Sequence, residues 1–269
     1  MKPINRFAHS LKTTLTAGTL TLFFFILISQ ANALEIKHDL STKLNPDLNL
    51  IHITDKIQLK DIKPNSKTIT FQLGKRFQLH AFPSLSDGNT EFPTKATLTP
   101  QNSINRITIH RPQTLSWPNP AFLNFSYQGP IKTNDDSQGN STEQVSGSGI
   151  VLSSQQSFYP DSEQTPFFQF KLKTKTPQNW KTVSQGNKIS ETVKDKLRIT
   201  VWETDNPMES IYLIADQFHE YKKTVDGKTY YAFLREEEKE LADKYLNATQ
   251  TYIHFYQKLL PLYPFKKFA

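Results

Sequence analysis

The side chains with the most chemical potential are the histidines His38, His52, His80, His110, His219 and His254, in a chain with no cysteine. His219-Glu220 opens like H-E-x-x-H, where two imidazoles one helical turn apart chelate a metal and the glutamate acts as base. The second imidazole would stand at 223, and that residue is Lys223. The dipeptide is therefore predicted to be structural or on the surface. No other histidine stands at ligand spacing from a second His, Asp or Glu on a recognisable helix, so each is predicted to be a surface or hydrogen-bonded core histidine. The lack of cysteine excludes thiol catalysis, cysteine-ligated zinc and disulfides. No serine lies in a G-x-S-x-G elbow, and Gly147-Ser148-Gly149 is too short to make one. There is no P-loop and no G-x-G-x-x-G. Asn124-Phe-Ser, Asn140-Ser-Thr and Asn247-Ala-Thr match the glycosylation pattern, which matters only in a glycosylating secretory pathway. No catalytic, cofactor-binding or metal-ligating residue is assigned.

Residues 1–33 read as a targeting segment. Lys2, Arg6 and Lys12 give a basic start, Leu15 to Ile28 is mostly apolar and uncharged, and Ala31-Asn32-Ala33 is a small-x-small cleavage pattern. The alternative is an uncleaved anchor, which would be the chain's one membrane contact. The apolar run is short for a span of roughly 20 residues, which favours cleavage. The chain is thus expected to be exported, to a periplasm or outside the cell. The segment holds three of the basic residues and no acid, so the net charge of +7 overstates the basicity of the remainder. No Lys/Arg block or basic-aromatic motif marks a nucleic-acid partner.

The elements that must position any site are mostly strands. Ile69, Phe71 and Leu73 alternate with Thr68, Thr70 and Gln72. Leu123, Phe125 and Tyr127 alternate likewise, as do Phe168, Phe170 and Leu172 with Gln169, Lys171 and Lys173. Leu197, Ile199 and Val201 alternate with Arg198, Thr200 and Trp202. Period two predicts strands with one buried face. Weaker strands are read at Ile36–Leu40, Leu50–Leu59, Arg106–His110 and Ile211–Ala215; the last is either a buried strand or a strand at a domain interface. Turn residues fill the gaps, as at Pro83–Asn89 and Asp205–Pro207. Many short strands without intervening helices predict an antiparallel sandwich or saddle-shaped sheet. Thr133 to Gly149 is polar and Gly/Ser-rich, and is expected to be a mobile loop, with a binding loop as the alternative. Plentiful aromatics supply the core.

A helix closes the pattern. Leu241, Tyr245, Ala248, Tyr252, Phe255 or Tyr256, and Leu259 recur at three- and four-residue steps as one apolar stripe. Glu236, Glu237 and Glu238 suit the positive end of a helix dipole, and Glu240 and Lys244 form an i,i+4 pair. Pro261 is expected to end the helix. A change of domain is predicted near residue 235.

Several blocks in order resemble the aminopeptidase N-like zinc metallopeptidases, in their bacterial exported branch. His38-Asp-Leu through Asn45-Pro-Asp and Ile57-Gln-Leu resembles the family's first hairpin. Leu123-Asn-Phe-Ser-Tyr-Gln-Gly-Pro-Ile131 looks like its strand ending in a Tyr-x-Gly-Pro turn. Gly149-Ile-Val-Leu with Phe158-Tyr-Pro-Asp161 is similar to an aromatic-Tyr-Pro segment, and Pro177-x-x-Trp180 with Val183-Ser-Gln-Gly186 to a later hairpin. Ile211-Tyr-Leu-Ile-Ala with Phe218-x-x-Tyr221 looks like the last strands of the β domain. The helix and Tyr263-Pro-Phe-x-Lys-Phe268 resemble the entry to the catalytic domain.

The resemblance implies a signal peptide at 1–33, an N-terminal β domain at 34–235, and at 236–269 the start of a truncated thermolysin-like domain. In the family that second domain carries the zinc helix, a Gly-x-Met-x-Asn strand and a catalytic tyrosine, none of which occurs here. Zinc and peptide substrates are thus expectations for the intact protein. This chain is expected to bind no zinc, to be inactive alone, and to self-associate through its C-terminal helix. The family's β domain also lends a Gln or Glu near the substrate amine; Gln155 and Gln156 lie in that neighbourhood, but the intervening loop looks shorter and the role is not carried over. The alternative function is a stand-alone envelope β-sandwich binding or interaction module.

Overall fold

A computed structural model describes residues 33–112, 116–132, 149–260 and 263–269. The signal segment apart from Ala33, the polar segment 133–148 with Ser148 and Asn140, and Pro261 lie outside the described residues. Residues from Leu34 to Ala269 form one unit.

The chain opens with a long hairpin, β1 (Glu35–Asn45) and β2 (Leu50–Lys60). There follow β3 (Thr68–Gly74), β4 (Gln78–Leu79), β5 (Ser84–Ser86), β6 (Glu91–Phe92), β7 (Lys95–Gln101), β8 (Ile104–His110) and β9 (Ala121–Pro130). Next come β10 (Ile150–Leu152), a single 3-10 turn at Ser154–Gln156, β11 (Asp161–Ser162), β12 (Gln169–Pro177) and β13 (Lys181–Val183). The last elements are β14 (Asn187–Lys194), β15 (Leu197–Glu203), β16 (Leu213–Asp216), β17 (His219–Val225), β18 (Lys228–Leu234), α1 (Lys239–Leu259) and β19 (Lys267–Phe268).

The fold is mostly β, as the sequence predicts. Nine strands make the largest sheet, in the order β14-β15-β12-β1-β2-β9-β5-β6 with β4 also on β9. Smaller sheets run β11-β3-β8-β7, β10-β16-β13 and β17-β18-β19. Nearly all pairs are antiparallel. Two are not: β1 lies parallel to β12, and β18 parallel to β19. A parallel pair needs a long crossover, and β2 to β11 supply it for β1 and β12, which is why local periodicity carries no sign of it.

Alternation places the core. Ile69, Phe71 and Leu73 are buried, and so are Leu123, Phe125, Tyr127, Phe168, Phe170 and Leu172. Edge-to-face ring pairs knit them, Phe71 on Phe125 at 5.4 Å and Phe77 on Tyr127 at 5.8 Å, each contributing about 0.5–1.5 kcal/mol beyond area burial. β15 turns the other way round from its aliphatic pattern: Thr200 and Trp202 are buried, while Leu197, Ile199 and Val201 are only half-buried. Residues directly opposite on an antiparallel pair share a face. Trp202 stands opposite Leu172 and Thr200 opposite Thr174, both on the core side of β12.

Helix α1 also rolls away from its most obvious stripe. Its buried residues are Ala242, Leu246 and Ile253, which join Tyr230 and Ala232 of β18 in a second hydrophobic cluster. Tyr245, Tyr252, Phe255, Tyr256 and Leu259 are exposed. The helical ion pair is Lys239–Asp243, with Glu240 in the first turn. Leu260, which precedes proline, is extended and closes the helix by donating its N–H to the Tyr256 carbonyl.

Candidate functional site

One polar cluster lies inside the sandwich. His38 on β1 and Asp55 on β2 occupy core-facing positions of their strands, and His38 Nδ1 lies 2.7 Å from Asp55 Oδ2. Tyr127 is fully buried near Asp55; burial first, and then that carboxylate, raise its pKa far above the usual phenol value. Its hydroxyl donates to the Phe158 carbonyl at 3.0 Å. Tyr159 packs edge-on to His38 and is likewise raised, by burial and then by Asp161. Burial also raises Asp161, with His38 opposing. A carboxylate–imidazole pair is the raw material of acid–base chemistry, but both side chains here are fully buried and out of a substrate's reach. The pair is structural.

A second constellation ties the sandwich to the β17–β18 hairpin. Lys188 Nζ on β14 lies 2.6 Å from Glu220 and 3.3 Å from Glu191, with the rings of Trp202, Tyr231 and Phe233 at 5.5, 5.2 and 5.8 Å. Lys181 reaches both carboxylates, and Arg198 holds Glu191 at 2.6 Å. Burial pushes Glu191 up, but Lys188, Lys181 and Arg198 outweigh it and hold the carboxyl below its usual value. Lys267 enters from β19, lies 4.5 Å from the Trp202 ring and donates to the Ser184 carbonyl. Arg235 closes the base of the hairpin on Asp216 at 2.9 Å. Lys188, Lys181 and Arg198 are balanced by Glu191 and Glu220, and Lys267 is held by the carbonyl and the ring against the charge of Lys188, so the arrangement works as a clamp.

The clamp positions α1. The helix covers the hairpin with one face and presents the aromatic stripe of Tyr245, Tyr252, Tyr256 and Leu259 on a line about 100° round its axis. Beside the hairpin is a cavity of about 210 Å³, lined among others by Gln185, Met208, Tyr212, Tyr263 and Lys267. Gly186 makes the adjoining turn at φ +74, where a Cβ would fall 2.2 Å from the Glu203 carbonyl oxygen.

The sequence candidates fall apart from one another. His219 and Lys223 lie on strand β17, where four residues span about 13 Å, too far for two side chains to share a metal as on a helix. Glu220 belongs to the clamp, and Lys223 donates to Asn247 on α1 at 2.9 Å. Asn124 is exposed on β9 and donates to Ser84. Gln156 is consumed by its own turn, its side-chain oxygen accepting from Ser153 N–H at 2.8 Å, while Gln155 is exposed. His52 and His80 sit 6.3 Å apart between ring centres. Among the described residues, no three His, Asp or Glu side chains gather closely enough to hold a metal ion. Zinc needs three or four ligands on one centre, so these residues do not fit it.

Sequence reasoning missed the partnership of His38 with Asp55. The signal was present: both are ionisable residues at core parity, within strands whose other core positions are Ile or Leu apart from Thr42.

No family model matches the sequence, and no curated protein matches it. Solved structures do match in fold. An M1 zinc metallopeptidase mutant from Deinococcus radiodurans bound to a Tyr-Ser-Ala substrate superposes with a TM-score of 0.64 at 12% identity, over 88% of this chain and 56% of that one. The M1 zinc metallopeptidase from the same organism without the mutation gives 0.63, with the same identity and coverage. A two-domain M1 zinc metallopeptidase mutant bound to L-tryptophan gives 0.60. This chain therefore spans a little over half the length of the structures it matches, and it shares with them the architecture of that part.

Proposed function

We propose that residues 34–235 are the non-catalytic N-terminal β domain of an exported, zinc-dependent aminopeptidase-like protein, and that residues 236–269 open its thermolysin-like domain. The observation that carries this reading is the fold likeness to M1 zinc metallopeptidases over most of the chain. The ordered blocks from His38 to Phe268 support it independently, since they are features of the sequence and not of the fold. The open aromatic face of α1 supports it too: large exposed apolar patches mark interaction sites, and a following domain would cover this one. In this reading peptides are the substrates of the intact protein, zinc and the chemistry of hydrolysis belong to the second domain, and this chain's residues supply a scaffold. Lys2, Arg6, Lys12 and Ala31-Asn32-Ala33 support export with cleavage before Leu34.

Reading the coding DNA past the Ala269 codon in all three frames tests the family. An H-E-x-x-H pattern followed by a distal glutamate is expected. A purified chain of residues 1–269 that carries one tightly held zinc and cleaves alanine 4-nitroanilide would overturn the scaffold role.

A further inference from the structure

Strand β9 runs between β2 and β4 in the largest sheet and is hydrogen-bonded to both. Gln128 of β9 stands opposite His52 on β2 and opposite Gln78 on β4. Two residues beyond Gln78, His80 donates its backbone N–H to the Ser126 carbonyl at 2.9 Å, which carries the same pairing one step further. Side chains two apart on a strand share a face. His52, Gln78, His80, Ser126 and Gln128 therefore belong to the outer face of the sheet, opposite to buried Ile51, Ile53, Phe125 and Tyr127. β2 and β4 flank β9 at a separation of about 10 Å, two strand spacings. The ring centres of His52 and His80 are only 6.3 Å apart, with 45° between the planes, so the two side chains converge over β9. His80 is exposed and His52 half-buried.

That convergence suits a shared metal ion. An imidazole nitrogen binds a divalent metal at about 2.0–2.1 Å, which puts the ring centre about 3.2 Å from the ion. Two rings on one ion then have centres about 4.5 Å apart with the nitrogens cis and about 6.4 Å apart with them trans. The observed separation lies at the open end of that span, and a side-chain rotation of exposed His80 covers the rest. Ser126 Oγ lies 3.0 Å from His80 Nδ1. This contact engages one ring nitrogen and leaves Nε2 for a metal, as the outer partners of ligating histidines do. Among the described residues no carboxylate joins the pair as a third ligand, and two imidazoles fall short of the set that zinc requires. Copper(II) accepts a tetragonal arrangement of nitrogen and oxygen ligands and heads the affinity order of the first-row divalent ions. Exposed Lys43 stands opposite His52 on β1. Its ammonium repels a cation, but through water and on a flexible stem, so it lowers the affinity without closing the site.

We propose that His52 and His80 form a copper(II) site on the outer face of the sheet. One nitrogen of His52 and Nε2 of His80 are the protein ligands, water fills the remaining positions, and Ser126 is a positioning residue for His80. Because the ligands stand on β2 and β4, the ion fastens two-residue β4 across β9 to one of the longest strands of the sheet. Nickel(II), which follows copper in the affinity order, binds the same pair more weakly.

The test titrates the full chain with copper(II) chloride in a non-coordinating buffer. Uptake of one ion is expected, with an electron paramagnetic resonance spectrum of tetragonal copper coupled to two nitrogens. His52→Gln and His80→Gln should each weaken binding at least tenfold, and the double variant should be little weaker than either single one, because chelation needs both rings. Ser126→Ala should weaken it several-fold. His219→Gln and His254→Gln, exposed elsewhere, should leave it unchanged. Lys43→Ala should tighten it several-fold, a gain that no misfolded variant would give. Hydrogen exchange around β4 should slow when copper is bound. Binding that survives His52→Gln or His80→Gln, binding lost with His219→Gln or His254→Gln, or coupling to a single nitrogen would each overturn the proposal.

Discussion

The ammonium of Lys267 lies 4.5 Å from the centre of the Trp202 ring, on a side chain almost shut off from solvent. Burial, and then the positive charge of Lys188, lower its pKa from 10.5 to about 8. The unfolded chain keeps this proton to higher pH than the folded chain does. Between pH 8 and 10.5 the unfolded state binds more protons, so stability rises with pH across that window. One unit is worth about 1.4 kcal/mol, so the gain approaches about 3 kcal/mol. Above about pH 10 the buried tyrosines oppose it, because burial raises Tyr212, Tyr230, Tyr231 and Tyr263, and the folded chain then holds the extra protons. Urea midpoints taken from about pH 8 to about pH 10 should therefore climb in the native chain. In Lys267→Met they should stay flat.

The His38–Asp55 pair yields a prediction of opposite logic. Both side chains are fully buried, and neither His38 Nε2 nor Asp55 Oδ1 has a hydrogen-bond partner among the described residues. Removing one member leaves the other unpaired in the core, at a cost of about 3–5 kcal/mol. Asp55→Ala should lose that much in chemical denaturation. Replacing both, as His38→Leu with Asp55→Leu, should recover most of it, because well-packed apolar residues often match or exceed a buried ion pair. A double variant as unstable as the single one would mean that the pair organises the sheet rather than merely occupying it.

How far the sequence carries a reader depends on whether a residue's fate is local. Ile69, Phe71 and Leu73 declare their face by alternation alone, because one side of β3 is core and the other is not. Trp202 does not, since its burial follows from pairing with β12, a partner that periodicity never mentions. The parallel pairing of β1 with β12 hides for the same reason. The β17–β18 hairpin was legible and overlooked: Asp226-Gly227, at φ +50 and +72, is the two-residue turn that such a dipeptide favours. In α1 two stripes compete, and the larger aromatics of the visible one drew attention from Ala242, Leu246 and Ile253, which hold the helix down. The clamp round Lys188 draws on β13, β14, β15, β17 and β18, so no single window of sequence contains it.

Breaking that clamp should loosen one corner of the molecule. Glu220→Ala removes the closest anionic partner of Lys188 and one of the two that Lys181 reaches. The exposed alternative for these ammoniums is water, so the loss should be about 1–3 kcal/mol. Amide exchange should quicken in β17 and β18 and stay unchanged in β1 and β2. Acid should act on the same corner. Glu191 is held below its usual pKa, so its contribution is present above pH 4.5 and is lost as pH falls through the lowered folded value.

The open face of α1 should govern solubility. Tyr252, Tyr256 and Leu259 are each more than half exposed on one line, and each large apolar side chain left in water forgoes roughly 1.5–3 kcal/mol of burial. That is ample reason for chains to pair through the helix. Light scattering on the native chain should show mass rising with concentration. Tyr252→Glu combined with Leu259→Lys should hold it monomeric, and the fold should survive because Ala242, Leu246 and Ile253 are untouched. Cutting at residue 235 is a poorer remedy than the notion of a domain boundary suggests: it strips the cover from Tyr230 and Ala232 and exchanges one apolar face for another. The truncated chain should therefore associate at least as strongly as the native one, while the doubly substituted chain does not. A native chain that stays monomeric at high concentration would show instead that the stripe, open as it is, is too narrow to bring two chains together.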